Sequence, residues 1–380
     1  MAGRAASVSD YRALARARLP HFLFEYLDGG SYDEVTLRRN VEDLQRVALK
    51  QRVLRDVSSI DLTAELFGQS WAMPVGLGPV GLSGLYARRG EVQAARAAAD
   101  AGVPLALSTL SACPIGEVAK GASPPWFQLY IVKDREFVRD MIARAKDAGC
   151  GALLLTVDLA VPGTRYRDYR TGLSGSAGGK LNRLRQVAAR PGWAWDVGVR
   201  GRPHTLGNLE PLLGSGAALG DLMGWVGRNF DASVGWNDVE WVRGQWDGPL
   251  VIKGILDPDN AREAAASGAD AVLVSNHGGR QLDGVASTAR ALPSVAEAVA
   301  GRVPVLVDGG VRSGLDVVRM LALGADFVLL GRAWAYALAA AGQAGVAHVL
   351  QLIDAEMRVA MALTGVTRTA DIDSAILDRR

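Results

Sequence analysis

Cysteine and histidine are the scarce residues of this chain, with two of the first, Cys113 and Cys150, and four of the second among 380 positions. The cysteines stand in no metal-ligand spacing with the histidines, which argues against a zinc or iron–sulfur centre. So few thiols suit a reducing, intracellular setting. A dominant charge sign is missing as well. Lys and Arg number 42 against 40 Asp and Glu, and the resulting +2 is too small to imply a nucleic-acid partner. Residues 1–10 hold no apolar segment of the kind that a secretory leader needs, so the expected location is the cytoplasm. One uncharged stretch, Ala333 to Ile353, has membrane-spanning length. It is rich in Ala and carries Gly342, Gln343, Gly345 and His348, which suits a packed helix pair better than a bilayer span.

What the chain does have is rhythm. Eight short apolar runs recur: Met73–Pro79, Pro104–Thr109, Trp126–Ile131, Ala152–Asp158, Leu250–Ile255, Ala271–His277, Val303–Gly309 and Phe327–Gly331. Most lack strict alternation, as parallel strands covered on both faces do. Between them lie amphipathic segments rich in Ala and Arg, such as Gly90–Ala101, Asp134–Ala148, Asp257–Ser267 and Ser313–Leu323. Gly102, Gly149, Gly268 and Gly324 follow these as expected helix caps. The alternation predicts an α/β fold, a (β/α)8 barrel. A doubly wound sheet is the alternative, but the Gly-rich turn expected after its first strand is absent.

The expectation is a single domain over residues 1–380, with 1–70 as a leading extension and 171–247 as an insertion after the fourth strand. Val8–Ala17 and Pro20–Leu27 read as helices, and Gln51–Phe67 as hairpin material closing the barrel bottom. Inside the insertion, Lys180, Arg183, Arg185, Arg190, Arg200 and Arg202 face one acid, Asp196, with Trp193 and Trp195 among them. Such a segment reads either as a peripheral membrane contact, through 177–215, or as a solvated lid.

Active sites of such barrels lie at the C-terminal ends of the strands, and the polar residues of this chain fall there. Ser108 ends the second run, and Gln128 and Tyr130 end the third. Thr156 and Asp158 end the fourth, with Arg165 soon after. Lys253 ends the fifth, Ser275 and His277 the sixth with Arg280 on its turn. Asp308, Gly309 and Gly310 end the seventh with Arg312 beyond, and Gly331 and Arg332 follow the eighth. Glycines leading into helices, joined by arginines, suit a phosphate. A strand-end lysine needs an anion, and a structural ion pair is its plain alternative. His277 beside a carboxylate such as Asp158 has the make-up of a general base. Arg165 and Arg280 suit a carboxylate substrate. His21, His204 and His348 read as surface or packing residues, and Tyr26 alone reads as packing.

The run Ser275-Asn276-His277-Gly278-Gly279-Arg280-Gln281-Leu282-Asp283-Gly284 resembles the signature of the FMN-dependent L-2-hydroxy acid oxidases and dehydrogenases. The likeness extends from Leu19-Pro20 and Glu25-Tyr26 to Leu329-Leu330-Gly331-Arg332. It implies FMN as cofactor and oxidation of a small 2-hydroxy acid to the 2-keto acid. His277 would take the hydroxyl proton with Asp158 in support, and hydride would leave to the flavin. Arg165 and Arg280 would hold the carboxylate, aided by Tyr26 and Tyr130. Pro79, Val80, Gly81, Ser108, Gln128, Thr156, Lys253, Ser275, Asp308, Gly309, Gly310, Arg312, Gly331 and Arg332 match the FMN positions. Gly81, where oxidases of the family usually carry alanine, is similar to the mandelate dehydrogenase branch, and Leu110 stands where glycolate oxidase has a bulky tryptophan, which leaves room for a larger substrate side chain. They imply a bulky substrate such as (S)-mandelate, with L-lactate or an oxygen-reducing oxidase as alternatives. The same likeness implies a quinone or other non-oxygen acceptor, a homotetramer, and an enzyme that is cytoplasmic or peripheral at the inner face of the cell membrane.

Overall fold

The structure, a computed structural model, describes residues 5–173, 177–213 and 222–378. Eight parallel strands form one sheet: β1 Val75–Leu77, β2 Ala106–Ser108, β3 Trp126–Leu129, β4 Leu153–Thr156, β5 Leu250–Ile255, β6 Ala271–Val274, β7 Val305–Asp308 and β8 Phe327–Leu330. The order is β1-β8-β7-β6-β5-β4-β3-β2. A parallel bridge between Leu77 and Leu105 joins the two ends, with Leu77 N–H donating to Pro104 O at 2.8 Å. The sheet is therefore a barrel, and all eight expected strands are in it.

The strands are buried on both faces, so alternation shows in where each side chain goes. Along β3, Trp126 and Gln128 enter the barrel, while Phe127 and Leu129 pack outward against the helices. The lower interior is apolar, built from Ala106, Trp126, Leu154, Leu273, Leu306 and Phe327. A hairpin of Ala64–Leu66 and Gln69–Trp71 closes it from below. Phe67, Trp71 and Phe327 stand 5.7, 6.0 and 6.0 Å from the Trp126 ring, centroid to centroid. The expected bottom cap is thus present, but only the end of Gln51–Phe67 is strand. The rest bonds singly to the C-terminal part of the chain, Arg52 N–H to Leu363 O at 2.9 Å and Asp61 N–H to Thr367 O at 2.8 Å.

Several barrel helices begin where a short polar side chain can cap. Asp134 accepts from Phe137 N–H, Asp257 from Asp259 N–H, and Ser313 from Asp316 N–H. The four glycines expected after helices have φ between 65° and 108°. The stretch Arg332–Thr364 breaks at Ala341 and Gly342, giving the expected helix pair. Its length and composition would permit a membrane crossing. Trp334, Tyr336, Leu338, Val346 and Leu350 are instead buried in the barrel core.

The extension supplies α1 Val8–Arg18, α2 His21–Asp28 and α3 Val35–Gln45. The last was not foreseen, because its buried stripe, Thr36, Asn40 and Leu44, is mostly polar. α2 lies against the helix Tyr166–Thr171 over the mouth. Within 171–247, Trp236–Arg243 packs Val239 and Val242 into the core directly before β5, and residues 214–221 fall outside the described ones. Trp126→Ala would open the barrel floor and is expected to cost about 3–5 kcal/mol, measurable as a lower urea midpoint.

Candidate active site

Two residues above the apolar interior, the alternation places Ser108, Gln128, Thr156, Lys253, Ser275 and Asp308 inside the barrel. Ser108 Oγ donates to Gln128 Oε1 at 3.2 Å, and Gln128 Nε2 donates to Thr156 Oγ1 at 3.0 Å. Lys253 Nζ donates to Ser275 Oγ at 2.7 Å and pairs with Asp308 Oδ2 at 3.1 Å. Burial pulls the Lys253 pKa down, but Asp308 and Asp158 outweigh it and leave the ammonium above its ordinary value. This layer floors a cavity that opens to solvent.

His277 stands at the rim with φ 56°, in the left-handed region. Its N–H donates to Ser275 Oγ at 3.1 Å, and Nδ1 lies 2.8 Å from Asp158 Oδ1. A carboxylate can only accept, so Nδ1 carries the proton and the Nε2 lone pair faces the cavity. Nε2 lies 3.4 Å from Tyr130 Oη. Gly254 makes room for this pair, since a Cβ there would sit 2.6 Å from Asp158 Cβ. Burial holds the His277 pKa below its ordinary 6.5, although Asp158 pulls it the other way. Burial pushes the Asp158 carboxyl up, but His277 and Lys253 prevail and leave it below its usual range. A neutral imidazole against a carboxylate is a base ready to accept a proton.

Four guanidiniums share the cavity. Arg280 and Arg165 flank Tyr26, 4.8 and 5.8 Å from its ring centroid. Burial and the neighbouring Arg280 both lower the Arg165 pKa. On the opposite side, burial, Arg280 and Arg312 bring Arg332 down to about 10. Arg332 donates to the carbonyls of Leu27, Gly278 and Gly29 at 3.1, 2.9 and 2.7 Å, tying the extension to the histidine turn. Beside it runs the Gly309-Gly310 turn. A Cβ on Gly310 (φ 85°) would lie 2.0 Å from Asn40 O, so only glycine fits.

All of the candidate residues line this cavity except two. Asp158 and Ser275 stand behind it, holding His277 and Lys253. The sequence reading missed Val226, Leu159, Pro162 and Tyr86, which add apolar and aromatic wall. It also missed Asn40, which exchanges amide hydrogen bonds of 2.8 and 2.7 Å with Asn276 under the histidine turn. A lone polar residue in an unrecognised helix gives no sequence signal. The remaining histidines lie elsewhere, although each has a polar neighbour: His348 meets Tyr11 Oη at 2.7 Å, His204 meets Gly198 O at 3.1 Å, and His21 meets Glu25 at 3.7 Å.

The profile of the FMN-dependent dehydrogenase family matches residues 15–379. The chain belongs to that family. It is 60% identical over 370 residues to an L-lactate dehydrogenase of Ectopseudomonas mendocina (strain ymp), covering 97% of each chain. To an L-lactate dehydrogenase of Caulobacter sp. (strain K31) it is 61% identical over 372 residues, 98% of each. Among solved structures, (S)-mandelate dehydrogenase, described as a monotopic membrane protein, superposes with a TM-score of 0.92 at 37% identity, over 99% of this chain and 100% of that one. Mandelate oxidase with (S)-4-hydroxymandelic acid gives 0.86 at 38% identity, over 98% of each.

This FMN-dependent α-hydroxy acid dehydrogenase oxidises an L-2-hydroxy acid, and its cofactor is FMN. The donor set fits that group. Uncharged amide and hydroxyl groups and one ammonium face the cavity floor, and a Cβ-free turn with two arginines lies at one side. Around Gly331 a Cβ would meet nothing within 4 Å, so backbone is open to a ligand there.

A general base at His277 would have to be neutral to act, so kcat/KM is expected to be full above about pH 6.5 and to fall as pH drops through the lowered pKa. Asp158→Asn removes the attraction that offsets burial, so the midpoint of the pH–rate profile should move lower still. An unmoved midpoint would detach the two residues. Gly310→Ala should release FMN at dilutions where the parent keeps it, read by flavin fluorescence.

Proposed function

We propose that this chain oxidises L-lactate to pyruvate and passes the electrons to a quinone or another non-oxygen acceptor. The observation that carries the substrate is the 60–61% identity, over nearly the whole chain, to proteins named L-lactate dehydrogenase. Arg165 and Arg280 hold the carboxylate between them, with Tyr26 and Tyr130 at its side. Two forks fix orientation as well as charge. His277 Nε2 removes the hydroxyl proton, and Asp158 stabilises the imidazolium that results. FMN would supply the hydride acceptor for the substrate α-hydrogen. Gly309, Gly310, Arg312, Gly331 and Arg332 would hold its phosphate. Ser108, Gln128 and Thr156 would bond its polar ring atoms, and Lys253 would offer them positive charge. Pro79, Val80 and Gly81 would complete its site.

(S)-Mandelate is the second reading, favoured by the room that Gly81 and Leu110 leave and by the mandelate enzymes among the structural neighbours. Peripheral membrane contact through the insertion is part of the proposal. Leu181, Leu184, Trp195 and Val199 are about half exposed or more on adjoining helices, an arrangement that suits an interface. Trp193, by contrast, is buried and donates to Leu85 O at 2.8 Å. A homotetramer is proposed by family analogy alone.

Anaerobic mixing with L-lactate should bleach the flavin, and air should restore it slowly. Bleaching by (S)-mandelate alone would reverse the order of the two substrates, and fast return in air would remove the non-oxygen acceptor. His277→Gln should keep its FMN and lose about 10²–10⁴ in kcat. Arg280→Met should raise KM roughly tenfold or more, as loss of a charged hydrogen bond does.

A further inference from the structure

The segment between β4 and β5 reaches back into the barrel mouth at Asn208. Its side chain is wholly buried. Nδ2 donates to Ser111 Oγ at 2.8 Å and to Ser108 O at 3.3 Å, and Oδ1 accepts from Ile115 N–H at 2.8 Å. Gly207 N–H adds a bond to Ser111 O at 3.1 Å. A Cβ on Gly207 would lie 2.5 Å from Pro114 N, so the two backbones are in contact. One amide thus spans the loop from Ser108 to Ile115 at both ends and in the middle.

That loop carries Leu110, a wall of the cavity. Leu110 faces Gly81, where a Cβ would stand 3.4 Å from Leu110 Cβ. Leu82 N–H donates to Leu110 O at 2.9 Å, fixing the loop from the β1 side. The opposite restraint comes from Asn208. The position of Leu110, and with it the space left for a substrate side chain, is therefore held from two directions.

We propose that Asn208 is a positioning residue for substrate selection: by gripping the Ser108–Ile115 loop it fixes Leu110 and so sets the size of the acid side chain admitted. The proposal rests on the reading of the cavity as a 2-hydroxy acid site. It makes the insertion, rather than the barrel alone, a determinant of specificity. Removing the amide leaves Ile115 N–H buried without an acceptor, and the loop relaxes to satisfy it.

The test uses the FMN-loaded enzyme and kcat/KM for L-lactate and (S)-mandelate. Asn208→Ala is expected to raise the mandelate-to-lactate ratio by roughly tenfold, the scale of about one methylene in an apolar pocket. In a Leu110→Ala background the same substitution should change the ratio little, because the wall it positions is gone. A ratio unchanged by Asn208→Ala, or both rates falling together, would overturn the proposal, as would a full effect persisting without Leu110. Should Asn208→Ala not fold, Asn208→Asp decides. Its carboxylate still accepts from Ile115 N–H but cannot donate to Ser108 O, and it should shift the ratio in the same direction. Failure of the parent enzyme to bleach with any 2-hydroxy acid would instead sink the functional reading, separately from any variant.

Discussion

Positive charge crowded into one buried chamber is the constraint on which the site depends. Two unit charges about 5 Å apart repel by roughly 3 kcal/mol at an effective dielectric of about 20. That is a sizeable part of the roughly 5–15 kcal/mol that holds a protein folded. The acids near the cavity relieve Arg165, Arg280, Arg312 and Arg332 only in part, because most are engaged elsewhere. Asp158 is taken by His277 and Asp308 by Lys253. Asp28 accepts from Arg12, Arg167 and Tyr336, and those bonds hold its pKa near 2 against burial. Asp168 comes no nearer to Arg165 than 3.9 Å. What the arginines lack is anions, and a phosphate with a carboxylate supplies two.

This arrangement explains which parts of the molecule could be read from its residues. The barrel was legible because the strands are short, mostly apolar runs and several barrel helices carry their own caps. The site was legible for a related reason. In a barrel the polar residue that ends an apolar run must point either into the mouth or onto the helices, so strand-end chemistry announces itself. His277, Lys253 and Asp308 needed no long-range information to be suspected.

The illegible parts share a different property. α3 buries Thr36 and Asn40, so no hydrophobic period marks it. Asn208 lies in a turn far from any strand, and its three bonds all cross more than 90 residues or reach a loop of irregular shape. Val226 reaches the cavity from a helix in the insertion. The hairpin was misplaced by a few residues because the preceding run is extended without being paired to itself. In each case the partner, not the residue, decides the structure.

Arg332 binds the carbonyls of Leu27 and Gly29, and Arg280 binds those of Tyr26 and Gly29 at 2.6 and 2.8 Å. The mouth is therefore assembled from both ends of the chain. For a polypeptide made from its N-terminus this is an ordering in time. The first thirty residues must wait for the eighth strand to leave the ribosome before the chamber exists. Cofactor capture is then a late event that acts on a finished barrel, and a chain halted before residue 332 would have strands but nowhere to keep a flavin.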